Sequence, residues 1–109
     1  MLNLNYSKEF YEEKYNLRPY TVIFLQAENG CWTYGDSAKV LACKFDYEPQ
    51  RNEFGDEGVL VKPEDFLDVT VELCESDIAW ILYEEGNIKD RSIPGHDTLT
   101  TNAFKRFCR

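Results

Sequence analysis

The run Ile78-Ala79-Trp80-Ile81-Leu82-Tyr83 is the most apolar stretch of this 109-residue chain and contains neither a charge nor a turn former. Six such residues in a row are stable only out of water, so the run predicts a central strand. A second stretch, residues 20–27 (Tyr-Thr-Val-Ile-Phe-Leu-Gln-Ala), is β-branched and aromatic and predicts a mostly buried strand. Each run is followed by turn chemistry. Asn29-Gly30 suits a type I′ turn, which needs positive φ at both central residues, and Gly86-Asn87 reads as another tight turn. Two hairpins are therefore expected, returning through residues 31–34 and 88–93.

Helical periodicity fills the remainder. Ser7 is placed to cap a helix running to about Leu17, with Phe10, Tyr11, Lys14 and Leu17 on one flank. Arg18-Pro19 ends it, because a residue before proline is pushed out of the α region. Asp36 is the expected cap of a second helix, in which Ala38, Leu41, Ala42 and Phe45 recur at i, i+3, i+4 and i+7. Residues 46–61 read as a polar loop containing Pro49, Gly55 and Gly58, with Val59-Leu60-Val61 a short edge strand. Past Pro94-Gly95, Asp97 or Thr98 caps a last helix whose face is Leu99, Ala103 and Phe107, widened by Phe104.

Residues 63–75 admit two readings. As a strand, Val69, Val71 and Leu73 alternate with Asp68, Thr70 and Glu72. As a helix, Pro63 suits the first position, and Glu64 and Asp65 suit the positive end of the dipole. Steps of about 100° per residue then gather Phe66, Val69 and Leu73 on one side and Glu64, Asp65, Asp68, Glu72 and Glu75 opposite. The strand leaves three of those acids without a role, and the helix is preferred. The expected fold is a single α+β domain in two layers, a four- to five-stranded, mostly antiparallel sheet of two hairpins packed on three to four helices.

Charge is distributed unevenly. Twenty acids oppose twelve Lys and Arg, for a net charge of −8. Residues 46–90 hold fourteen of the acids but only Arg51, Lys62 and Lys89, a local charge of −11, while the rest of the chain carries +3. Such a balance disfavours non-specific binding to nucleic acid. On the expected helix, Glu64/Asp68 and Asp68/Glu72 are like-charge pairs at i, i+4, each costing about 0.2–0.5 kcal/mol. Successive carboxylates lie roughly 6 Å apart along the axis, the same order as the spacing of phosphates along a nucleic-acid strand.

Sequence signatures of catalysis are sparse. The chain has no Gly-rich phosphate loop, no GxSxG and no HExxH. Cysteines at 31, 43, 74 and 108 form no CxxC, the acids of the 46–57 loop lack EF-hand spacing, and no metal or other cofactor is expected. Without a basic n-region or an apolar run at the start, the thiols are expected reduced and the protein cytoplasmic, away from membranes. A thiol enzyme would have to use Cys31 or Cys74 with His96, the one histidine.

Two stretches carry a resemblance. Ile23-Phe24-Leu25-Gln26 is followed at fixed distance by Tyr34-Gly35-Asp36-Ser37-Ala38-Lys39, and later comes Ile93-Pro94-Gly95-His96-Asp97-Thr98-Leu99. Together they resemble the N-terminal, mismatch-recognition domain of MutS, a domain also found in proteins of mobile elements. The resemblance implies a related fold and a nucleic-acid-associated module. Where that family carries its base-contacting Phe-x-Glu motif, this chain reads Glu28-Asn29-Gly30-Cys31-Trp32, so no position inherits the base-reading role.

The leading expectation is therefore a small acidic interaction module. Glu64, Asp65, Asp68, Glu72 and Glu75 would dock on a basic, nucleic-acid-binding partner, as inhibitors of the anti-restriction and anti-CRISPR type do. No direct contact with nucleic acid is expected, and a homodimer is compatible with the sequence.

Overall fold

The computed structural model describes residues 4–92 and 98–108. A 3-10 turn (Leu4–Tyr6) leads into helix α1 (Lys8–Leu17), then strands β1 (Val22–Ala27) and β2 (Gly30–Thr33) and helix α2 (Gly35–Phe45). Strands β3 (Gln50–Arg51) and β4 (Glu57–Val61) follow, then a 3-10 turn (Pro63–Asp65) running into helix α3 (Phe66–Glu75). Strands β5 (Trp80–Glu84) and β6 (Asn87–Arg91) and helix α4 (Thr98–Phe107) complete the described chain.

The strands form one sheet in the order β3-β4-β2-β1-β5-β6. Every neighbour is antiparallel except β1 and β5, which run parallel with Val22 opposite Trp80 and Leu25 opposite Tyr83. The sheet is thus mixed and six-stranded rather than four- to five-stranded. Its central pairing joins the two apolar runs, which lie far apart in sequence and which hairpin signals do not connect. Val59-Leu60-Val61 is not an edge: β4 lies between β2 and the two-residue β3.

Two layers become three. Alternate residues of the interior strands enter two separate cores. Val22, Phe24, Trp80 and Leu82 meet Val40 and Leu41 of α2, Val69 and Leu73 of α3, and Ala103 and Phe104 of α4. Ile23, Leu25, Ile81 and Tyr83 point the other way, onto Tyr11 of α1, with Trp32, Tyr34, Tyr6 and Phe10. Strands covered on both faces lose the polar half of the alternation, which is why both runs read as continuously apolar. Trp32 and Trp80 are buried in these cores rather than free to stack on bases.

Local expectations fare unevenly. Ser7 Oγ does accept from the Phe10 N–H at 3.2 Å, capping α1. Asp36 does not cap α2, because the N-cap is Tyr34 and makes no side-chain cap bond. Asp36 instead accepts from Tyr15 Oη, and the neighbouring Ser37 Oγ accepts from Tyr11 Oη and from the Ile23 N–H, tying α1, β1 and α2 together. Both hairpin turns lie one residue earlier than expected. In the first, Glu28 and Asn29 are central and only Gly30 has positive φ, at +140°. In the second, Glu85 and Gly86 both have positive φ, the type I′ signature. Gly30 is required for a further reason, since a Cβ there would collide with the Val61 carbonyl on β4. Leu17 and Leu99 are exposed rather than on buried faces, and Thr100, Ala103 and Phe104 are the buried residues of α4. Cys43 of α2 is exposed. Ile93 and Asp97 lie outside the described residues.

Candidate protein-docking face

The 63–75 segment is helical throughout, first as a 3-10 turn and then as α3. Pro63 sits at the first position, where its missing N–H costs nothing. The helix ends in a Schellman arrangement: Ile78 N–H donates to Leu73 O at 2.8 Å, and Asp77 N–H to Cys74 O at 3.0 Å. Asp77 takes the left-handed conformation, φ +62°, that this ending demands. Leu73 and Ile78, the pair that usually accompanies such an ending, are both fully buried.

The inner side of α3 is anchored by Val69, Leu73 and the half-buried Phe66, whose ring lies 5.1 Å from Phe24 and 5.9 Å from Trp80. Burying two aliphatic side chains contributes about 3–6 kcal/mol. The two like-charge pairs on the outer side together cost about 0.4–1 kcal/mol. Packing therefore holds the helix in place despite its acids.

The five predicted site residues are not equivalent. Glu64, Asp68 and Glu75 are exposed and make no ion pair among the described residues. Glu72 pairs with Lys44 of α2 at 3.3 Å. Lys44 is held there by its surroundings: its side chain is 10% exposed and its ammonium lies 4.6 Å above the Phe107 ring of α4. Asp65 is half-buried, and its charge reinforces the effect of burial in raising the Tyr47 hydroxyl pKa. The structure thus brings together three carboxylates that no described cation pairs, flanked by one that is paired and one at the margin.

Two residues absent from the sequence expectation belong to the same surface. Leu67 is 71% exposed and Val71 48% exposed. The helical wheel that grouped the acids also places these two on the solvent side, so the signal was present in the sequence.

The thiols offer little for catalysis. All four cysteines are free. Cys31 is buried, and burial pushes its thiol up to about 12, away from the thiolate that nucleophilic chemistry requires. Cys74 is exposed, and its Sγ accepts from Trp80 Nε1 at 3.4 Å. His96 lies outside the described residues. Among the described residues no three His, Cys, Asp or Glu side chains are grouped so as to hold a metal ion. Nor is any described helix long and apolar enough to cross a membrane. The chain matches no protein-family model, no curated protein and no solved structure.

Proposed function

We propose that this chain is a small acidic interaction module that docks, through the outer side of α3, on the basic nucleic-acid-binding surface of a partner protein and blocks it. The observation that carries the reading is the exposure of Glu64, Asp68 and Glu75, with no cation paired to them among the described residues, on a helical segment whose opposite side is locked into the core. A rigid row of carboxylates steers a basic partner through long-range attraction and offers it charges at fixed positions. The four free thiols suit a reducing compartment, in keeping with a cytoplasmic site of action.

The test is parallel affinity capture with the natural chain and the Asp68→Lys/Glu75→Lys double variant, followed by binding measurements with the purified captured protein. A basic protein held by the natural chain, released by salt and bound at least about tenfold more weakly by the variant is the expected result. Identical capture and affinity for both proteins would remove the acidic face from the account. Glu72 is left unaltered because Lys44 already engages it.

A second reading follows from the MutS resemblance of the segment Tyr34 to Lys39, in which α2 begins at Gly35. It makes the chain a nucleic-acid-associated module, and a gel shift with mismatched duplex separates the two. Docking on a basic protein expects no shift.

A further inference from the structure

The described residues expose five large apolar side chains, and three of them lie around α3. Leu67 and Val71 are one turn apart on its outer surface. Cys74, also exposed, continues their line, and it shares a small cavity of about 40 Å³ with the exposed Leu99 of α4. Leu17 and Ile88 stand elsewhere, on α1 and β6. Isolated exposed leucines are ordinary, whereas a contiguous row marks a contact surface. At about 100° per residue, Leu67, Val71 and Cys74 fall within an arc of about 60°, and Glu64, Asp68 and Glu75 occupy the adjoining arc. The outer side of α3 is thus divided lengthwise into an apolar strip and an acidic strip.

We infer that this divided face receives an amphipathic basic helix of a partner protein. Its aliphatic residues would seat on Leu67, Val71 and Leu99, and its Lys or Arg residues would lie against Glu64, Asp68 and Glu75. The inference rests on the docking function proposed above and narrows its partner from a basic surface to one kind of element. Charge selects the occupant. A second copy of this chain carries the same three acids and the same net charge of −8, and like-charge repulsion opposes that contact. Anionic lipid and nucleic acid are opposed by the same charges. Size agrees as well, because Leu67 and Val71 stand one turn apart, roughly 6 Å along the axis, the spacing of an i, i+4 pair on the ridge of a packed helix.

The experiment uses the full chain and two fluorescent helical peptides of about four turns. Both carry the same lysines on one flank; one has leucines at i and i+4 beside them, and the other has glutamines there. Anisotropy is read for the natural chain, for Leu67→Gln/Val71→Gln and for Asp68→Lys/Glu75→Lys. Urea midpoints confirm that each variant folds, as exposed positions permit. The leucine peptide is expected to bind the natural chain at least about tenfold more tightly than the glutamine peptide. Each double variant is expected to lose about tenfold or more, and part of the binding should survive about 0.5 M NaCl. Equal binding of both peptides, unaffected by Leu67→Gln/Val71→Gln but abolished by Asp68→Lys/Glu75→Lys, overturns the inference and leaves the electrostatic docking function standing. If neither peptide binds at about 1 mM, both fall. A dimer that Leu67→Gln/Val71→Gln dissociates would assign the strip to a second copy and also overturn the inference.

Discussion

Reversing charge at two positions on α3 is expected to have opposite effects on stability. Glu72→Lys removes the pair with Lys44, worth about 0.2–1 kcal/mol because Glu72 is half exposed, and puts an ammonium beside an ammonium at a similar further cost. Lys44 has little freedom to withdraw, with its side chain 10% exposed and its charge over Phe107. The pair with Asp68 turns from repulsive to attractive and returns about 0.4–1 kcal/mol. The net loss is up to about 1 kcal/mol, which lowers Tm by up to about 4–8 °C in a domain of this size. Asp68→Lys instead converts two repulsive i, i+4 pairs into attractive ones, a gain of about 1–2 kcal/mol. It also forfeits a carboxylate in the first turn, at about 0.3–1 kcal/mol, so the outcome runs from about zero to about 1.7 kcal/mol of stabilisation. Urea unfolding followed by fluorescence of the buried Trp32 and Trp80 measures both variants, and about 0.5 M NaCl should shrink the gap between them. Equal shifts in the same direction would mean that Lys44 does not distinguish the two sites, and the division of the acids into paired and free groups would be wrong.

Other outcomes follow from the core. Thr21 is buried and its Oγ1 has no hydrogen-bond partner among the described residues, so Thr21→Val should raise stability by about 1 kcal/mol in urea denaturation. Gly30→Ala should cost more than about 1 kcal/mol, because both its φ and the Val61 carbonyl resist a side chain; a neutral result would contradict the register of β2 on β4. Burial raises Cys31 from an ordinary 9.0 to about 12 and Tyr11 from 10.0 to about 12. Both groups are then neutral in the folded state at pH values where the unfolded chain ionises them. Their contribution is complete below about pH 9 and is lost as pH rises toward about 12, so Tm should hold level from pH 7 to about 9 and then fall. Alkylation near pH 8 should modify the exposed Cys43 and Cys74 and spare Cys31 until the chain unfolds, which peptide mapping by mass spectrometry reads directly.

The amino-acid order was sufficient to reveal the local units. The Ser7 cap, the apolar face of α3, the two apolar runs and the helical nature of 63–75 depend on neighbours within about two turns, and periodicity records these directly, whereas on α2 the buried side is Ser37, Val40 and Leu41 and only Leu41 belonged to the expected face. The exposed acids Glu64, Asp68 and Glu75 were legible for the same reason, as were Leu67 and Val71 on the wheel that displayed them. Other features required the assembled chain. Parallel pairing of β1 with β5 joins residues far apart in sequence, and no turn between them announces it. The third layer depends on α1 crossing to the face opposite α2, α3 and α4, a choice that strand composition permits but does not specify. The removal of Glu72 from the free acidic row is the clearest case. No Lys or Arg lies within its own segment from 63 to 88, yet folding carries Lys44 to within 3.3 Å of it. Short-range periodicity resides in the chain, whereas charge compensation is a through-space interaction, and only packing of α2 against α3 and α4 determines which carboxylates remain available to a partner.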